Sequence, residues 1–192
     1  MRPLLLILAL FAPLLPTTAH ADAATDEAAL WAALRTGGHV ALMRHALAPG
    51  TGDPAGFRVN DCGTQRNLSA AGHTQARAIG ERFRANGIAA AAVFSSQWCR
   101  ALDTARGLAL GEVTADAALN SFFTDRGEEA AHTRAARALI AAQASADKPL
   151  VLVTHQVNIT ALSGVFPASG EIIVMRVEGD ALSLAGRIRT AP

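Results

Sequence analysis

The chain has 192 residues, 51% of them hydrophobic, 17% charged and 5% aromatic, with a formal net charge of +1. This balance suits one ordinary globular domain and excludes a disordered chain, a collagen-like repeat and a basic nucleic-acid arm. Lys148 is the only lysine and 16 acidic side chains nearly cancel 17 basic ones, so neither nucleic acid nor an anionic lipid surface is an expected partner.

The N-terminus reads as a signal peptide over residues 1–21. Arg2 supplies the positive start, residues 4–15 are apolar, and Ala19-His20-Ala21 offers the small residues that a signal peptidase accepts. A membrane helix needs roughly 20 apolar residues, and Pro13 and Pro16 shorten this run further, so no integral membrane segment is expected after cleavage. Residues 22–192 then form a single domain, large enough to hide roughly 70% of the unfolded chain's surface. Export predicts a periplasmic or secreted protein in an oxidising compartment, where Cys62 and Cys99, the only cysteines, are expected to pair.

Thr25 is expected to cap a first helix in which Leu30, Trp31 and Leu34 share a face, with Gly37-Gly38 as its stop. Residues 39–43 are apolar without polar alternation, the pattern of a strand covered on both faces, and they end at Arg44-His45. Residues 46–68 follow, with Pro49, Gly50, Gly52, Pro54 and Gly56, and a loop that long is commonly functional. Ser69 caps a helix carrying Ala76, Ile79, Gly80 and Phe83 on one face, and Asn86-Gly87 supplies a left-handed stop. Residues 91–95 read as a second strand, 98–108 as a helix, and the neighbourhood of Val113 as a short strand before a loop through Asp125.

Ala131, Ala135, Ala138, Leu139 and Ala142 are expected to line the next helix, which Pro149 ends. Residues 150–154 form another continuous apolar strand, followed by His155 and a helix through Leu162. Residues 172–177 and 181–188, joined by Glu178-Gly179-Asp180, look like a closing hairpin at one edge. Alternating strands and helices argue for an α/β fold: a three-layer α/β/α sandwich with a mainly parallel sheet and an antiparallel edge.

Open parallel sheets bind ligands beyond the carboxyl ends of their strands. Those ends supply Arg44-His45, Ser95-Ser96 with Arg100 one helical turn on, and Thr154-His155. Arginine offers a permanently charged fork of donors suited to phosphoryl oxygens, imidazole can act as nucleophile, and a helix starting near Gln156 would aim free N–H groups at the same place. His39, His73 and His132 read as structural residues. No two histidines stand four apart and no Cys-x-x-Cys occurs, which argues against a zinc site, and Ser163-Gly164 lacks the Gly-x-Ser-x-Gly elbow of a serine hydrolase.

Four ordered segments carry a family resemblance. Leu42-Met43-Arg44-His45-Ala46 resembles the Arg-His-Gly signature of the histidine phosphatase superfamily in its phosphoglycerate-mutase-like branch, with alanine in place of glycine. Arg66-Asn67-Leu68-Ser69 with Gly72 and Gln75-Ala76 resembles the Leu-Thr-x-x-Gly-x-x-Gln-Ala segment. Residues 95–105 resemble the stretch bearing the second arginine, with Asp103 where glutamine is common. Val151-Leu152-Val153-Thr154-His155 resembles the strand carrying the second histidine.

The resemblance implies that His45 attacks phosphorus to form a phosphohistidine while Arg44, Arg100 and His155 hold the equatorial oxygens, with no metal and no organic cofactor. It places the proton donor for the leaving group within residues 122–129, where Asp125 is favoured over Glu128, with Phe122 and Phe123 as apolar walls. The other branch has an Asp directly after the second histidine, where this chain has Gln156. From their place in the long loop, Gln65 and Arg66 are either substrate contacts or purely structural residues, and Glu128 is a further candidate contact. The expected substrate is a phosphorylated small molecule or glycan, by analogy in location with periplasmic phosphatases of lipopolysaccharide core sugar phosphates. A mutase is disfavoured by the exported location. The alternative is a noncatalytic phosphate- or phosphoglycan-binding protein of the same fold.

Overall fold

The apolar runs without polar alternation become the centre of a sheet covered on both faces, as their composition requires. The computed structural model describes residues 27–144 and 148–191, so the signal-peptide reading and Thr25 as a helix cap lie outside the described residues. The strands are β1 (His39–Arg44), β2 (Ala92–Ser95), β3 (Val113–Ala115), β4 (Leu150–Thr154), β5 (Ile172–Glu178) and β6 (Ala181–Ile188). They form one six-stranded sheet in the order β3-β2-β4-β1-β5-β6. The first four strands are parallel, whereas β5 runs antiparallel to β1 and β6 antiparallel to β5 at the edge. Glu178 pairs with Ala181, so the hairpin turns on Gly179-Asp180, with Gly179 at φ 59°.

Helices α1 (Glu27–Arg35), α2 (Ala70–Ala85) and α3 (Cys99–Leu108) cover one face of the sheet. There Leu30, Trp31, Ile79, Phe83 and Leu108 pack on Ala41, Met43, Val151 and Val153. Helices α4 (Glu129–Gln143) and α5 (Gln156–Ser163) cover the other, where Ile140, Ile159 and Leu162 pack on Val40, Leu42, Leu150 and Leu152. Successive strand residues thus feed opposite cores, which is the period-2 geometry of a three-layer α/β/α sandwich.

Local chemistry sets the ends of α2. The Ser69 hydroxyl accepts the Gly72 N–H at 3.0 Å, and Gly87 takes the left-handed conformation after it, at φ 79°. The helix also lies unusually close to its neighbours: a Cβ on Gly72 would stand 2.1 Å from the Leu47 carbonyl oxygen, and one on Gly80 2.1 Å from that of Leu108.

One expected face is wrong. In α4, Ala131, Ala135, Ala138 and Ala142 are exposed and Leu139 is only half-buried, while Ala136 and Ile140 face the core. An alanine-rich helix lacks the contrast in side-chain size that fixes its rotation, so tertiary packing chose a face about one residue away.

Candidate active site

The neighbours β2, β4 and β1 bring three strand ends together. Arg44 pairs with Thr154 and Ser95 with Val153. The ladder extends one residue further, with the His45 N–H on the Thr154 carbonyl at 3.0 Å and the Ser96 N–H on the Val153 carbonyl at 2.9 Å. His45 and Ser96 are therefore held by backbone bonding at one end of the sheet, where His155 follows the last residue of β4. Ala46, where the family resemblance has glycine, is buried and is not among the positive-φ residues, so alanine fits there without backbone strain.

His45 and His155 are 2% and 3% exposed, with ring centroids 5.5 Å apart. His45 Nδ1 lies 2.8 Å from the Ala46 carbonyl oxygen, which can only accept, so Nδ1 carries the proton and Nε2 presents a lone pair. Arg100 Nε stands 3.3 Å from that Nε2. Burial, together with the charges of Arg100, Arg44 and Arg66, pushes the His45 pKa down to about 3 against the opposing pull of the Ala46 carbonyl. His155 is pushed well below its ordinary value by burial and then by Arg100, His45, Arg66 and Arg44. Its Nδ1 faces the Arg100 Nη2 donor at 3.5 Å, which assigns the proton of the neutral ring to Nε2, 2.8 Å from Ser96 Oγ.

Arg44 donates through Nη1 to the Pro167 carbonyl at 2.9 Å, and its Nε is buried without a hydrogen-bond partner. Arg66 donates through Nε to Gly52 O at 2.7 Å and through Nη1 to Ala48 O. These arginines and both histidines line a cavity of about 610 Å³ whose walls include Gly50, Gly52, Asp53, Phe57, Trp98, Phe123, Thr124, Arg126 and Phe166. Phe57 and Trp98 stack at 4.8 Å, while Phe123 and Phe166 are 43% and 67% exposed at the same cavity. The first residues of α5, Gln156 and Val157, also face it, and no side chain caps that helix.

The loop of residues 46–68 forms one wall. Cys62 and Cys99 are bonded, with Cα atoms 5.7 Å apart, and tie this loop to the start of α3 directly before Arg100. Gln65 is a strut: its Oε1 accepts the Cys99 N–H at 2.9 Å, its Nε2 donates to the Arg58 and Val59 carbonyls at 2.9 and 2.8 Å, and it does not line the cavity.

Asp125 and Glu128 are exposed and do not line the cavity either, although Thr124 and Arg126 do. Asp125 accepts the Gly127 N–H at 3.0 Å at the start of a single turn, and Phe122 is a core residue, leaving Phe123 as the apolar wall.

Sequence reasoning passed over Asp53 and gave Ser96 no role. Asp53 grips Arg100 with both carboxylate oxygens. The signal for it was slight: it is the sole carboxylate in the Gly- and Pro-rich stretch of residues 49–57.

The model of one family, the histidine phosphatase superfamily (branch 1), matches residues 40–133. The chain is a member of that superfamily. Solved phosphatase structures share the fold. The protein histidine phosphatase SixA complexed with tungstate is 15% identical, with a TM-score of 0.56 over 78% of this chain and 96% of that one. A mycobacterial glucosyl-3-phosphoglycerate phosphatase complexed with VO3 is 17% identical, with a TM-score of 0.55 over 80% and 97%. Phosphoserine phosphatase from Entamoeba histolytica in complex with 3-phosphoglyceric acid is 16% identical, with a TM-score of 0.57 over 79% and 97%. No curated protein matches the sequence.

Proposed function

We propose that this histidine phosphatase is an exported phosphomonoesterase that passes the phosphoryl group of a phosphorylated small molecule or envelope sugar first to His45 and then to water. One observation carries the reading. His45 Nδ1 is tied to the Ala46 carbonyl at 2.8 Å and its unprotonated Nε2 faces a cavity shared with Arg44, Arg66, Arg100 and His155. A neutral, oriented nucleophile amid fixed cations is what phosphoryl transfer needs.

Nε2 attacks phosphorus, an N–P bond forms as the ester P–O bond breaks, and the leaving oxygen takes up a proton. Arg44, Arg100 and His155 stabilise the charge on the transferring group. His155 is neutral in the free protein, and a bound phosphate dianion favours its protonation at Nδ1, turning it into a donor. Asp53 is held as a carboxylate by Arg100, so we assign the proton donor to Asp125, whose neighbours Thr124 and Arg126 line the cavity. Water then attacks the phosphohistidine and gives a proton to the same carboxylate, which frees phosphate and restores Nε2.

The arginines supply the charge neutralisation, so turnover is expected with a chelator present and no cofactor added. A cavity of about 610 Å³ with aromatic walls accommodates far more than a phosphoryl group and favours a leaving group with a flat or apolar face, such as a sugar ring. The signal-peptide reading of residues 1–21 and the Cys62–Cys99 disulfide support a periplasmic or secreted location.

Hydrolysis of nitrophenyl phosphate in EDTA tests the function. His45→Ala is expected to lower kcat by at least about a thousandfold and to abolish an acid-labile phosphoimidazole adduct. Near-normal turnover by the variant would reject the nucleophile, and a wild-type protein that binds phosphate without turnover would establish the noncatalytic alternative.

A further inference from the structure

Asp53 is the one acidic side chain among the described residues lining the cavity, and it faces its most buried arginine. Oδ1 accepts from Arg100 Nη1 at 2.7 Å and Oδ2 from Nη2 at 3.1 Å, so the carboxylate grips the end of the guanidinium in a fork. It is itself anchored, since Oδ1 accepts the Arg66 N–H and Oδ2 the Trp98 indole N–H, each at 3.1 Å. The side edge of Arg100 points elsewhere: Nε toward His45 Nε2 at 3.3 Å and Nη2 toward His155 Nδ1 at 3.5 Å.

That arrangement separates the two edges of one planar group. Asp53 holds the outer edge, and the edge left over faces the space between the two imidazoles, where the transferring group must sit. A guanidinium is planar, so fixing one edge fixes the aim of the other. We propose that Asp53 is a positioning residue for the reaction: it clamps Arg100 so that Nε and Nη2 meet the phosphoryl group, and it makes the loop of residues 46–68 part of the anion site. The inference rests on the phosphatase reading and extends it to a residue that acts through Arg100.

Burial works to raise the Asp53 pKa, but the hydrogen bond and charge of Arg100, with the Arg66 and Trp98 N–H groups, hold it below the usual carboxylate range. The group is thus an anion throughout the neutral range. Its charge alone would repel a phosphate dianion, so removing it has opposite consequences for the two possible roles. A clamp lost weakens phosphate binding, whereas a competing anion lost strengthens it.

The experiment measures inhibition by inorganic phosphate in Asp53→Asn and Asp53→Ala, each made with Arg100 intact and in an Arg100→Lys background, with Tm recorded for all. With Arg100 intact, phosphate affinity is expected to fall by about tenfold or more, the scale of one oriented charge-assisted hydrogen bond. In the Arg100→Lys background, where no planar edge remains to aim, the further loss is expected to vanish. Affinity that is unchanged or tighter with Arg100 intact overturns the proposal. So does an equal loss in both backgrounds, which would make Asp53 a simple anchor of its loop. Unchanged affinity with slow turnover of esters that have poor leaving groups would instead make it the proton donor. Wild-type turnover in the same preparations tests the phosphatase reading separately: an active wild type with an insensitive variant defeats only the role of Asp53.

Discussion

A neutral imidazole stands among guanidinium groups at the wall of the cavity, and a single hydrogen bond decides which of its nitrogens presents a lone pair. The Ala46 carbonyl fixes the His45 tautomer, and the Arg100 donor facing Nδ1 of His155 leaves the proton of that ring on Nε2, 2.8 Å from Ser96 Oγ. Ser96 Oγ also accepts the Trp98 N–H at 3.2 Å, so one hydroxyl orients both the second histidine and the approach to α3. Ser96→Ala leaves a buried imidazole N–H unpaired, a defect worth about 1–3 kcal/mol. We expect kcat/KM for nitrophenyl phosphate to drop by about tenfold or more with the circular dichroism spectrum retained; an unchanged rate would remove Ser96 from the site.

At the scale of elements, the loop of residues 46–68 and the start of α3 behave as one part. The disulfide, the Gln65 side chain on the Cys99 N–H and the Asp53 carboxylate on Arg100 join them within a few residues. In the chain-entropy model a bridge across 37 residues contributes about 3–4 kcal/mol. Its position puts most of the local consequence at the cavity, because the sheet and both of its cores are assembled without it. Reduction by dithiothreitol, followed by substrate titration, is expected to raise KM severalfold while the far-UV spectrum is retained at ambient temperature. A KM that does not move on reduction would confine the bridge to stability.

For the whole molecule, burying two histidines as neutral rings links folding to pH. Burial and the arginines depress the His45 pKa from 6.5 to about 3, and His155 shifts in the same direction. Between those values the unfolded chain binds protons that the folded chain does not, so stability rises with pH. The His45 contribution is fully present above about pH 6.5 and is lost as pH falls toward 3, with a slope of about 1.4 kcal/mol per pH unit, and His155 acts in the same direction. Urea midpoints are expected to be lower at pH 5 than at pH 7.5, and saturating phosphate is expected to shrink the difference, because a dianion beside the rings favours their protonation. Equal midpoints would show that the rings are not neutral in the fold.

Much of this was legible along the chain. Continuous apolar runs fixed β1 and β4 as central strands, Ser69 marked the start of α2, and Arg44, His45, Arg100 and His155 stood at strand ends and in motifs whose spacing is local. Those features depend on backbone sterics, capping and side-chain period, which act over a few residues. The rotation of α4 did not show, since alanines on every side give the helix no preferred face. Between a substrate contact and a structural role for Gln65 the chain could not choose, because its amide meets Cys99 only after the loop has folded back. The grip of Asp53 on Arg100 spans 47 residues and has no periodicity or motif to announce it. The sequence by itself determined the sheet, the layers and which histidines and arginines stand near the strand ends; the tertiary structure alone decided which carboxylate meets which arginine, because such a pairing depends on distances that exist only once the loop lies against α3.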